Sequence, residues 1–176
     1  MRNRQCYRLT HLRILTPLRI LLTMKIERKS FKAFFNELLV VLGFELKGKN
    51  HWYRRIGDAL IVISLHNVRY DPGVYLEYGL AFSDITPERH PTTNNCPVSG
   101  WNPGLSKTDY IHFQDLLKDV KAICRQPSLQ QEIAAALDKQ VKQLVEWTDR
   151  EKLVKRVRSR KPLTMFVNHP ALGLPL

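Results

Sequence analysis

The sequence predicts an α+β fold in which an N-terminal helix, a four-stranded antiparallel β-meander and C-terminal helices packing on one sheet face follow one another along the chain. Apolar residues recur at helical spacing on both sides of a central region. Within that region, short alternating apolar runs are separated by turn sequences. The chain of 176 residues has the length of one domain with tails.

The first predicted element is a helix that begins near Ser30. Its apolar residues lie three or four positions apart and would form one broad buried face. Ser30 has the side chain of an N-cap, and Gly43 is suited to the C′ position that ends a helix. The residues of the apolar face are Phe31, Phe34, Phe35, Leu38, Leu39 and Leu42.

Four strands are predicted after this helix. The third is rich in β-branched residues and apolar on both faces, which is typical of a central strand. Turn sequences such as Tyr70-Asp71-Pro72-Gly73 keep the connections short, and short connections favour antiparallel pairing of neighbours. The predicted strands are Phe44–Lys47, His51–Arg55, Ala59–His66 and Val74–Ser83.

Residues 84–107 are predicted to form a long loop, because they contain four prolines and two glycines and have little periodicity. Long loops of this kind are often functional, and the alternative is a plain surface excursion. Helices are predicted next: one over 110–123 with Thr108 or Asp109 as cap, one after Pro127, and a short one capped by Asp149. The predicted domain therefore spans 24–160, followed by a Pro-rich tail over 161–176.

Residues 1–23 are predicted to be a basic extension outside the fold. Three interpretations remain open: a transit-like presequence, an anion-binding surface helix, or translated upstream sequence before a natural start at Met24, which we favour. Its apolar runs are too short for a membrane span or for a signal peptide. The segment has no acidic residue and carries Arg2, Arg4, Arg8, Arg13 and Arg19.

The net charge of +12 is concentrated in this extension and in a second basic run over 149–161. Clustered Lys and Arg favour an acidic partner, although basic tails are also commonly just solvated. The three cysteines are widely spaced and odd in number, which indicates reduced thiols in a cytoplasmic protein. Phosphate-loop, dinucleotide and zinc-ligand patterns do not occur in the sequence, so no cofactor and no metal are predicted.

The run LGFELKGKNHWYRRIGDALIVISLHNVRYDPGVYLEYGLAF resembles the DUF4304 family, bacterial domains of unassigned function. The resemblance is best over residues 30–83 and loose over 84–157. It implies an α+β fold without an assigned activity, and small domains of this kind are similar to immunity proteins that neutralise bacterial toxins. The sequence departs from the family at His66, where glutamine is usual. The matching motifs are Gly43-Phe44, Lys47-Gly48 to Arg54, Leu60 to Asn67 and Tyr78-Gly79-Leu80.

The candidate binding residues are polar or aromatic side chains of the meander and of the following loop. On an exposed sheet face, a guanidinium beside a histidine could bind a phosphate or a carboxylate. The alternative, which we favour, is a set of solvated polar residues. The tryptophan of the loop is either an exposed anchor or a cover over the core. These candidates are His51, Tyr53, Arg54, His66 and Trp101.

No catalytic residue is predicted. His90, Cys96 and His112 follow neither metal-ligand spacing nor the arrangement of an activated thiol. Glu77 and Asp84 are seven residues apart on an alternating strand, so they would not face one substrate as an acid/base pair.

We therefore expect a non-enzymatic domain that binds another protein, with an immunity-type or defence-linked role implied by the family resemblance. The alternative is a nucleic-acid-associated protein that binds phosphates through its basic termini, since phosphate contacts need only clustered Lys and Arg. An enzyme has little support. The residues of the nucleic-acid alternative are Lys152, Lys155, Arg156, Arg158, Arg160 and Lys161.

Overall fold

The computed structural model describes residues 28–68, 73–159 and 165–173. The predictions for residues 1–23, for the turn at 70–72 and for Arg160 and Lys161 lie outside these ranges. The described strands are β1 (Glu45–Lys47), β2 (His51–Ile56), β3 (Ala59–Asn67), β4 (Val74–Phe82), β5 (Val98–Gly100) and β6 (Met165–Val167). The helices are α1 (28–41), α2 (Lys107–Leu116), α3 (Val120–Arg125), α4 (Pro127–Trp147) and α5 (Arg150–Arg158).

The fold is α+β, and its sheet has six antiparallel strands in the order β1-β2-β3-β4-β5-β6. The four predicted strands are present as the neighbours β1 to β4. The prediction of a four-stranded sheet was incomplete. The sheet has two additional strands, β5 in the predicted loop and β6 in the predicted tail. Both are three residues long, too short to show a period in the sequence. They form because β4 offers an edge on which Val98 pairs with Leu80, and β5 then pairs with β6.

Helix α1 ends where the sequence predicted. Gly43 has a φ of +82°, and the N–H of Phe44 donates to the carbonyl of Leu39 at 2.9 Å. This 6→1 bond is that of a Schellman motif with glycine at C′, where a side chain would be strained. The predicted N-cap is wrong, because Ser30 lies inside the helix.

The single helix predicted over 110–123 is two helices. The N-cap of α2 is Ser106, whose hydroxyl accepts from the N–H of Asp109 at 3.1 Å, in place of the predicted Thr108 or Asp109. The helix is interrupted between α2 and α3. There the carbonyl of Leu117 accepts from the N–H of Val74 at 3.0 Å. In a continuous helix this carbonyl would accept from an N–H of the same helix. Because the helix is interrupted, it bonds to the first residue of β4 instead and connects the helices to the sheet. Asp119 caps α3.

The main core lies between one face of the sheet and the helices. Alternate residues of β3 share one buried cluster with residues of every helix from α1 to α5. On β3 these are Ala59, Ile61, Ile63 and Leu65; from the helices the cluster includes Phe31, Phe35, Phe113, Ile123, Leu137 and Leu153. In the part of the chain that the structure describes, no helix has the length and apolarity needed to cross a membrane.

The opposite face of the sheet is covered by residues 84–97, called the covering segment below. Leu60, Val62 and Ala81 are buried on this face together with Tyr53 of β2 and Cys96 of the covering segment. The expected loop over 84–107 is therefore corrected: it contains a 3₁₀ turn at Thr93–Asn95 and the strand β5. The expectation that this face of the sheet is open to solvent was therefore wrong for the area beneath the covering segment.

Gly79 marks the closest approach of the covering segment to the sheet. A Cβ added at Gly79 would lie 2.6 Å from Cys96 Sγ and 3.2 Å from Thr93 Cα. These separations are below van der Waals contact, so any larger residue forces the covering segment away from β4.

Gly79→Ala is therefore expected to lower the free energy of unfolding by about 1–3 kcal/mol, as measured by urea denaturation. The matched test introduces the same change into a Cys96→Ala background, which lacks the sulfur. Because the nearest clash is gone there, we expect a smaller loss. An equal loss in both backgrounds would show that the sulfur contact is not the cause.

Candidate functional site

The strand register places His51 and His66 on the covered face of the sheet, near its β1 side. His51 on β2 is opposite Ser64 on β3, and Ser64 is in turn opposite Glu77 on β4. His66 follows two residues after Ser64 and therefore points to the same face. We call His51, Ser64, His66 and Glu77 the histidine cluster.

The histidine cluster is connected by short polar contacts. His51 Nδ1 shares a hydrogen bond of 2.7 Å with Ser64 Oγ, and His66 Nε2 lies 3.3 Å from Glu77 Oε2. The hydroxyl of Thr93, in the covering segment, donates to the same oxygen of Glu77. Glu77 thus fastens the covering segment to the sheet.

Burial lowers the pKa of His51, the neighbouring His66 lowers it further, and Glu77 opposes the two effects. A neutral imidazole is therefore favoured at His51, and either tautomer can pair with the Ser64 hydroxyl. Ser64 is fully buried, so its hydroxyl is not accessible to a substrate as a nucleophile. The cluster is arranged to hold the sheet and the covering segment together rather than to react.

The other predicted binding residues of the meander are not part of this cluster. Tyr53 is buried beneath the covering segment, where its hydroxyl donates to the carbonyl of Pro91 at 3.2 Å and its ring meets His90 edge to face. Arg54 is next to Tyr53 on the strand and therefore points to the opposite face. Its side chain lies against Gly43, at the end of α1. The structure thus brings His51 and His66 together and separates Arg54 from them.

Trp101 follows β5 directly and is 57% exposed. It does not cover the core, so the exposed alternative for this residue is the one that the structure shows. Phe166, in the middle of β6, is 69% exposed and lies opposite Ser99 of β5. Both aromatic residues therefore lie on or directly after the last two strands of the sheet, β5 and β6. We call Trp101 and Phe166 the aromatic corner.

Phe166 was missed because it lies in the predicted tail; the apolar triplet Met165-Phe166-Val167 was the available signal. Beside it is a cavity of about 340 Å³ between the covering segment and the end of the chain. Phe166 forms part of its wall, together with Asn95, Cys96, Pro97, Asn168 and Ala171.

Among the residues that the structure describes, no three His, Cys, Asp or Glu side chains are grouped so that they could hold a metal ion. Burial, followed by the nearby charges of Glu88 and Glu77, raises the pKa of Cys96 to about 12. The thiol of Cys96 therefore stays protonated at neutral pH and is not activated as a nucleophile.

Comparison of the chain with protein-family models, with curated proteins and with solved structures gave no match. The resemblance to DUF4304 stays an expectation from the sequence.

The basic surface of α5 is the second candidate. Lys152 pairs with Asp149 at 3.1 Å, and Arg150 pairs with Asp84 at 2.6 Å. Within the described ranges, the remaining cations of α5 form no ion pair and project to solvent, whereas Leu153 on the other face is buried. These unpaired cations are Lys155, Arg156 and Arg158.

Proposed function

We propose that the protein is a non-enzymatic cytoplasmic domain that binds another protein, and that the aromatic corner is its contact surface. The observation that carries the proposal is the exposure of two large aromatic side chains, Trp101 at 57% and Phe166 at 69%, at one end of the sheet. Trp and other aromatic residues are enriched at the centres of protein interfaces, where they bury large areas in pockets of the partner. The similarity of small domains of this kind to immunity proteins favours an immunity-type or defence-linked role for this binding.

The backbone that carries Trp101 is held by its neighbour. Asn102 is 2% exposed, and its amide donates to the carbonyl of Leu105 at 2.9 Å and accepts from the N–H of the same residue at 2.8 Å. On the other side of Trp101, β5 pairs with both β4 and β6. A side chain on such a fixed backbone loses little conformational entropy when a partner binds, which favours affinity.

The test is capture of the partner by the full chain from its source cell, after nuclease treatment and washing at about 0.5 M salt, which removes contacts made mainly to phosphates. We expect a protein partner to remain bound to the wild type. Trp101→Ala and Phe166→Ala should each weaken the purified complex by about thirtyfold or more, since a hot-spot truncation costs about 2 kcal/mol.

Ile111→Ala is the matched control, because Ile111 is 51% exposed on α2 and lies outside the aromatic corner. Its complex should keep the wild-type affinity. Capture of no protein, or equal affinity of all the variants, would contradict the proposal.

The same experiment addresses the nucleic-acid alternative, which the unpaired cations Lys155, Arg156 and Arg158 favour. Nucleic acid that co-purifies before nuclease treatment and is lost by about 0.5 M salt would support binding through α5. In that case Trp101→Ala would leave the co-purification unchanged.

A further inference from the structure

A second cavity, of about 240 Å³, lies on the covered face of the sheet; it shares Thr86, Pro87 and Glu88 with the cavity beside Phe166 but is not lined by Phe166 itself. Its floor is a row of residues that pair across three strands, Arg55 of β2, Leu60 of β3 and Ala81 of β4. Its roof is the part of the covering segment at 86–89. Cys96 packs into the space above Gly79, the preceding residue of β4 on this face, whereas the small side chain of Ala81 leaves room beneath the roof.

Two arginines from different elements line this cavity, Arg55 from the sheet and Arg89 from the covering segment. In the described part of the chain, neither forms an ion pair. Two hydroxyl residues, Ser83 and Thr86, line the same space. Hydroxyl donors and guanidinium forks are the groups that bind the oxygens of a carboxylate or a phosphate.

The cavity wall also contains two acidic residues, Asp58 and Glu88, and in the described part of the chain neither forms an ion pair with Arg55 or Arg89. Both carboxylate oxygens of Glu88 accept from the amide of Asn95, at 3.1 and 3.4 Å. Asp58 lies in the turn between β2 and β3, next to Gly57. Apart from Arg55, the floor is formed by the apolar residues Leu60 and Ala81, which are 6% and 2% exposed. An apolar floor under cationic groups matches a ligand with an apolar body and an anionic end.

We propose that this cavity binds a small organic anion, with its carboxylate or phosphate group between Arg55 and Arg89 and its apolar body on Leu60 and Ala81. The volume is below the range of about 300–1,000 Å³ that is usual for drug-sized ligands. The ligand is therefore a small metabolite-sized molecule. This site does not depend on the aromatic corner, because neither Trp101 nor Phe166 lines it.

The test is a titration of the full chain with benzoate and with phenyl phosphate, followed by NMR or calorimetry. We expect saturable binding of at least one probe. Arg55→Gln and Arg89→Gln should each weaken binding about ten- to a hundredfold, the effect of losing one hydrogen-bonded charge. Both arginines are exposed, so neither change disturbs the core. Arg158→Gln on α5 is the control and should bind as the wild type does.

A second set of measurements separates the two parts of the ligand. Acetate and inorganic phosphate lack the apolar body and should bind more weakly than benzoate and phenyl phosphate. Ala81→Val narrows the cavity without changing charge and should abolish probe binding in a protein that still unfolds cooperatively. The proposal is overturned if neither probe binds saturably up to about 10 mM, a concentration well above a millimolar Kd. It is equally overturned if the glutamine variants bind the probes as well as Arg158→Gln does.

Discussion

Replacing Trp52 with alanine is expected to lower the free energy of unfolding by about 3–5 kcal/mol. Trp52 is fully buried on β2, where its ring meets Phe35 of α1 edge to face with 5.3 Å between the centroids. Its indole N–H donates to Asn36 Oδ1 at 2.9 Å. The change therefore removes apolar contact, leaves a cavity between α1 and the sheet, and deprives a part-buried amide of its partner. Urea denaturation measures the loss.

The matched control is Trp52→Phe, which keeps an aromatic ring beneath α1 but has no N–H. It should cost less than the alanine change. Asn36→Ala should lose about 0.5–1.5 kcal/mol, the usual contribution of one hydrogen bond. A loss below about 1 kcal/mol for Trp52→Ala would show that α1 does not pack on β2 as described.

Ile63→Ala should cost about 2–5 kcal/mol, because Ile63 is fully buried at the centre of the sheet. It lies between Trp52 on β2 and Tyr78 on β4, and all three side chains point to the helices. Truncation there opens a cavity that paired strands on both sides cannot readily close. Thermal and urea unfolding should agree on the loss.

Two further substitutions serve as comparisons for Ile63→Ala. Ile63→Val removes one methyl group and should cost about 0.5–1.5 kcal/mol. Val41→Ala removes apolar atoms from a side chain that is 87% exposed at the end of α1, and it should leave the stability within about 0.5 kcal/mol. If Ile63→Ala behaved like Val41→Ala, β3 would not be the central strand.

The long elements were predictable from the sequence, because burial of one side of an element requires apolar residues at regular spacing. The spacing of Phe31, Phe35 and Leu39 indicates the buried face of α1, and all three are fully buried. The continuous apolar run of β3 indicates a strand buried on both faces, although the cover of its second face comes from residues 84–97. Gly43 was identifiable as the end of α1 because a C′ residue favours a positive φ.

The strands β5 and β6 and the separation of α2 from α3 were not predictable, because they depend on partners far away in the sequence. β5 and β6 have three residues each and exist through pairing with β4 and with each other. The break between α2 and α3 likewise depends on Val74, whose N–H the carbonyl of Leu117 accepts. A local pattern around Leu117 carries no information about that strand.

The candidate site was predictable in part. Strand alternation alone places Arg54 opposite to Tyr53, so the separation of Arg54 from His51 could have been read from the sequence. The burial of Tyr53 beneath Pro91 could not, because it requires knowing where the covering segment runs. The presence of Arg55 and Arg89 at one cavity could not be predicted either, since the two residues belong to different elements.

The order of the strands has a consequence for how the sheet opens. β1 to β5 each find a partner before the helices α2 to α5 are reached, whereas β6 joins only after them. β6 is three residues long and pairs with β5 alone, as β1 is three residues long and pairs with β2 alone, so either edge of the sheet can open without global unfolding. Phe166 therefore lies on an edge strand, which we expect to open at a lower free energy than the central strands β2 to β4. A partner that binds Phe166 would also slow amide hydrogen exchange along β6. The affinity of the complex would then include the free energy of holding β6 paired with β5.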